Sequence, residues 1–109
     1  MPQAVFVQEG AAIDYIPGAD VAAGEVVVQG DLLGVARLDI RAGALGVLAI
    51  CGVFDFAKTT DIAYTVGTIL YWDNVNDVVT VTATGNKAIG KVVRAAATTD
   101  PTVRVRLSQ

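Results

Sequence analysis

The sequence predicts an all-β chain: a small antiparallel β-barrel or sandwich, with helix confined to a turn or two. Three observations carry this. Glycine, proline, Asn and Asp punctuate the chain roughly every eight to twelve positions, the spacing of strands joined by turns. The segments between them are short and rich in valine, which suits a pleated, half-buried surface. Two of them, Val79 to Thr84 and Thr102 to Leu107, alternate with period two.

The elements follow in order. Val5-Phe6-Val7 is β-prone, yet Pro2 and the chain end leave it untethered on one side. Residues 1–8 are therefore expected either as a mobile arm or as the first strand of the chain's own sheet. Ala12 to Ile16 and Glu25 to Val28 read as strands, separated by Pro17-Gly18 and Gly24. Gly30-Asp31 turns the chain into Leu32 to Leu38. Ala44 to Phe56 is apolar on both faces, the pattern of a strand covered on both sides. In so short a chain, the second cover is expected from another protein. Thr68 to Trp72 should form a hairpin with Val79 to Thr84 through the loop Asp73 to Asp77. Gly85-Asn86 turns into Lys87 to Arg94, and Asp100-Pro101 precedes the last strand. There Val103, Val105 and Leu107 share one face, and Thr102, Arg104 and Arg106 the other. Ala95 to Ala97 is too short for a helix, and Thr60 to Gly67 has room for one turn. No linker or repeat divides the chain, so residues 1–109 are expected as one domain.

Composition narrows the function. The 109 residues are 53% hydrophobic and 17% charged, the reverse of a disordered chain. The longest run free of charge, between Arg41 and Asp55, is shorter than the roughly twenty residues a membrane-spanning helix needs. No basic segment precedes an apolar run at the amino terminus, so no secretory signal is expected. Eight basic against eleven acidic residues give a net charge of −3. Without a basic block, nucleic acid is not expected as a partner. Histidine is absent, and with it the commonest general base and metal ligand. The single cysteine, Cys51, lies in the apolar stretch Leu48 to Phe54, where a buried, inert thiol is expected.

Two segments imitate chemical sites. Gly85-Asn86-Lys87-Ala88-Ile89-Gly90-Lys91 has the glycine, four spacers and glycine-lysine of a P-loop. Val92 stands where Ser or Thr would hold magnesium, and Lys91 to Arg94 is β-prone where a phosphate-binding helix is required. The segment is read as a hairpin turn. Asp73 and Asp77, with Asn74 and Asn76 between them, offer the oxygen ligands that calcium takes, but no bidentate Glu follows. The same residue types serve a loop's own backbone bonds, and that is the reading adopted. The aromatic residues, among them Phe6, Phe54, Tyr71 and Trp72, are not interleaved with basic ones. Core packing or a subunit contact is their expected use. No catalytic, cofactor-binding or metal residues are assigned, and no cofactor.

Taken in series, six segments resemble a known family. Val7 to Gly10, Gly24 to Ala36, Gly52 to Lys58, Gly67 to Asp73, Thr82 to Gly90 and Thr102 to Leu107 are similar, in this order, to small capsid cement (decoration) proteins of tailed phages and prophages. The likeness covers almost the whole chain. It implies a β-tulip or jelly-roll-like subunit that binds the outer surface of the phage head and stabilises contacts between major capsid proteins. It also implies a homo-oligomer located on the virion and in the host cytoplasm during assembly; a trimer is expected ahead of a dimer, since closed symmetric assemblies dominate. Val5, Phe6 and Val7 are the candidate capsid or subunit contact, since a free β-prone segment can pair with a sheet edge. Members of the family often carry a recombinase-like ATPase label. The incomplete P-loop and the absence of alternating strands and helices argue against that label here. Another phage structural role, in tail or baseplate, is the alternative reading.

Overall fold

The computed structural model describes residues 3–8 and 10–109. Among them the strands are β1 (Ala12–Tyr15), β2 (Val26–Gln29), β3 (Leu32–Ala36), β4 (Gly46–Ala49), β5 (Gly52–Ala57), β6 (Ile69–Asp73), β7 (Val78–Thr80), β8 (Lys87–Arg94) and β9 (Thr102–Leu107). No described residue is helical. The strands make two antiparallel sheets, one of order β1-β4-β3-β2 and one of order β5-β9-β8-β6-β7. The all-β expectation holds, and of its two forms the chain adopts the sandwich; neither sheet closes into a barrel.

Alternation explains how the sheets meet. Val103, Val105 and Leu107 of β9 are buried together, as their period predicts. Phe56, Trp72 and Ile89 join them, and Leu33 and Val35 of β3 close the same core from the other sheet. Ala36, one residue on, faces the opposite way. With Leu48, and with Val21 and Ile40 from the loops, it forms a smaller core on the far side of the four-stranded sheet. Val21 and Ile40 exchange backbone hydrogen bonds of 2.8 Å in both directions, which holds the loops over that core. The layers therefore run from the five-stranded sheet through the main core to the four-stranded sheet, the second core and a cap of loops.

Polar side chains tie the layers together. The Gln109 side chain accepts from the Leu33 N–H at 2.8 Å and donates to the Leu33 carbonyl, pinning the segment after β9 to β3. Lys87 at the start of β8 reaches Asp31 in the β2–β3 turn at 2.6 Å. Lys58 is buried, and its Nζ donates to the carbonyls of Thr59 (2.9 Å) and Asp100 (2.7 Å), joining the end of β5 to the loop before β9. Those bonds are what let a lysine sit inside, since an unpaired ammonium would be costly there.

Several expectations are corrected. The apolar run Ala44 to Phe56 is two strands, not one: β4 ends in the four-stranded sheet and β5 opens in the five-stranded one. Gly52 makes the corner at φ +123°, a conformation other residues rarely adopt. Serving two sheets with different insides, the run could show no single inside. Nor is it covered on both sides, because Val47 and Val53 remain about half exposed. Cys51 sits at this corner, outside both cores, and is exposed rather than buried. The strand expected over 79–84 stops at Thr80. Beyond it, side chains take over the backbone groups: Thr80 Oγ1 accepts from the Thr82 N–H, and Asn86 Nδ2 donates to the Thr82 carbonyl. The β6–β7 hairpin forms as expected. Gly85-Asn86, however, does not make a second hairpin, because β8 pairs with β6 and not with β7. Val5, Phe6 and Val7 belong to neither sheet. Met1 and Pro2, the start of the expected arm, and Glu9 lie outside the described residues.

Candidate functional site

Strand pairing gathers side chains that the sequence disperses. On the outer face of the five-stranded sheet, Val53, Arg106, Lys91 and Ile69 stand in one row across β5, β9, β8 and β6. A second row holds Asp55, Arg104 and Arg94. Four of the chain's eight basic residues thus share one face. Among the described residues, Asp55 is the one carboxylate in these rows. It takes the Arg104 guanidinium on both oxygens, at 3.0 and 3.2 Å.

A β-bulge sets the second row. The register of β8 on β9 passes from Val92↔Val105 to Arg94↔Arg104, so Val93 is an extra residue. Regular alternation from buried Val92 would turn Arg94 back toward the core. The bulge re-aims it outward, beside Arg104. Sequence alternation alone reveals Arg104 and Arg106 as outward-facing. It cannot reveal that Lys91 and Arg94 lie opposite them, because that depends on which strands pair and on the bulge.

Beside Lys91 and Arg106 the same face opens into a groove of about 550 Å³, lined by Val66, Ile69, Ala88 and Val93. Val66, Ile69 and Val93 are exposed. A second apolar groove, between Leu38, Leu45 and Val47, lies at the four-stranded sheet and its cap of loops. The predicted contact residues Val5, Phe6 and Val7 are 72%, 76% and 87% exposed. They form a third uncovered apolar segment.

The imitations of chemical sites resolve into structure. Gly85 to Lys91 is a turn running into β8, with no helix after it to present N–H groups to a phosphate. Asp73 uses both carboxylate oxygens inside its own loop, accepting from the N–H groups of Val75 and Asn76 and from the Asn76 side chain. The Asn76 side-chain amide, followed by those N–H groups, holds the Asp73 carboxyl below the usual range. Arg104 does the same for Asp55, and Lys87 for Asp31. Each such carboxylate stabilises the fold while ionised, so its contribution is complete above the ordinary carboxylate range and is lost as pH falls through the depressed value. With no histidine to titrate, the melting temperature should stay level from about pH 8 to about pH 5 and decline below about pH 4. Thermal melts across that range check this; a decline already between neutrality and about pH 6 would contradict it.

Comparison with known proteins decides the family. A family model described as phage cement protein matches residues 7–107. The chain belongs to the phage cement protein family. The match spans all nine strands, so the two sheets and the face just described lie within it. Membership makes the chain a structural protein of the phage capsid and implies binding to capsid proteins. The family is a structural one, not a family of enzymes. No curated protein and no solved structure matches the chain.

Proposed function

We propose that this chain is a cement subunit that binds the outer surface of the phage head and stabilises contacts between neighbouring major capsid proteins. The family match over residues 7–107 carries this reading. The exposed apolar side chains support it, since surface left uncovered in one chain is available to a partner. Residues 1–109 form one domain with residues 1–8 as its arm, and the arm is a capsid contact through Val5, Phe6 and Val7. Its free backbone groups add to a sheet edge of the shell while Phe6 fills a pocket. The subunit works as a homo-oligomer, a trimer in preference to a dimer, with Leu38, Leu45 and Val47 available for an apolar contact between copies. It acts on the virion, after reaching the shell from the host cytoplasm, without catalysis and without a cofactor.

Sitting over a junction between capsid proteins, such a subunit meets its complete site only on the assembled shell. Binding that state alone stabilises it by mass action, and repetition over many junctions adds the contributions. The test mixes the protein with expanded empty heads and with unassembled major capsid protein. Saturable binding to the heads, at least about tenfold weaker binding to loose subunits, and heads that survive higher temperature are the expected results. Equal binding to both, or binding to tails instead of heads, would overturn the reading.

A further inference from the structure

Like charges stand opposed on the outer face of the five-stranded sheet. Lys91 stands directly opposite Arg106, and Arg94 directly opposite Arg104. Like charges facing each other across a strand pair destabilise a sheet. Asp55 bridges Arg104 and also attracts Arg94 across the row; among the described residues, Lys91, Arg94 and Arg106 form no salt bridge, and Lys91 and Arg106 face each other with no acid in their row. The imbalance also opposes the chain as a whole. Four basic residues and one acid lie in the two rows, which leaves four basic against ten acidic residues for the rest of the chain. At the capping loops the charges are mixed: Asp20, Glu25 and Asp39 line one hollow with Arg41, and Arg37 lies close by. Cations are thus concentrated on the sheet face, whereas acids and arginines mix at the capping loops.

We propose that the outer face of the five-stranded sheet docks on a carboxylate-bearing protein surface of the capsid shell, with Lys91, Arg94 and Arg106 as the cations that meet it. This deepens the cement reading and rests on it. The face is built for a protein rather than for a bare polyanion, because its basic row is flanked by apolar side chains. Val53 and Ile69 end that row, and the groove of Val66, Ala88 and Val93 adjoins it. Carboxylates would relieve the opposed cations while apolar side chains enter the groove, the usual division between charged rim and apolar centre.

The test measures association of the full chain with immobilised expanded heads as a function of salt. The wild-type rate should fall steeply with salt, because complementary charge acts mainly on encounter. Neutralising one opposed pair, K91Q/R106Q, should slow association at least about tenfold at low salt and flatten the salt dependence. Its melting temperature should hold or rise, since a repulsion is gone. R41Q removes a cation at the capping loops, outside the sheet face, and should associate as the wild type does. Unchanged kinetics in K91Q/R106Q, with wild-type binding intact, would overturn this docking face and leave the cement reading standing. The same holds if the variant loses only self-association, which would assign the face to a second copy, or if the face proves to capture duplex DNA. Failure of the wild type to bind heads at all would remove the cement reading and this face with it.

Discussion

Gly90→Ala should be the most damaging single substitution in the sheets, lowering stability by more than about 4 kcal/mol, a loss seen only where a specific structural feature is broken. Gly90 pairs with Leu107 on one side and Leu70 on the other, in the middle of the five-stranded sheet. A Cβ there would lie 1.9 Å from the Arg106 carbonyl oxygen and 3.1 Å from the Ser108 nitrogen. These are backbone atoms, and they cannot swing aside as a flexible side chain would. Clearing the clash means pulling β9 from β8 beside the Ser108 N–H to Ile89 carbonyl bond of 2.8 Å. For a domain of about this size, such a loss lowers the melting temperature by roughly 15–30 °C. Gly85→Ala supplies the contrast. Gly85 also has positive φ, +78°, but nothing lies within 4 Å of its added Cβ. Its cost should be the left-handed backbone alone, about 1–2 kcal/mol. Thermal or urea melts of the two variants separate contact from conformation. Equal losses would show that the close approach at Gly90 does not hold.

The same glycine shows how far the sequence could be read. Period two in Thr102 to Leu107 gives the inside of β9 correctly, because both neighbours of β9 use the same core. Period two in β8 misleads, because β8 carries two irregularities, one against β6 and one against β9. Arg94 therefore lands beside Arg104, where counting along the chain would place it in the core. The run Ala44 to Phe56 is ambiguous for another reason: it changes sheets at Gly52, and residues before and after the corner answer to different insides. Cys51 follows from that error, since apolar neighbours imply burial only when they share one core. The loop Asp73 to Asp77 was legible because its hydrogen bonds are local, set by residue type and spacing within four positions. The basic face was not, since its members come from residues 91 to 106 and are assembled by long-range pairing. Local chemistry can be read along a chain; a surface built across strands requires the pairing.

Deleting residues 2–7 should abolish binding to heads and leave the melting temperature within a few degrees of the full chain. The reason lies in what the segment touches. Val5, Phe6 and Val7 are exposed and outside both sheets, and neither core includes them. Removing side chains that bury nothing in the free subunit costs the fold little. The first strand, β1, begins only at Ala12 and is held by four paired residues of β4. On the shell the same segment has something to gain: burial of an exposed phenylalanine contributes about 1.5–3 kcal/mol, and several new main-chain bonds about 0.5–1.5 kcal/mol each. Ordering the arm offsets part of this, and arms joined in one oligomer would add their contributions. Phe6→Ala, which keeps the backbone and removes the anchor, should give an intermediate loss of affinity of about tenfold or more. A full-length chain and a truncated one that bind heads equally would show that the arm makes no contact with the shell. A melting temperature lowered by ten degrees or more would instead place the arm in the fold of the free subunit, against the exposure of Phe6.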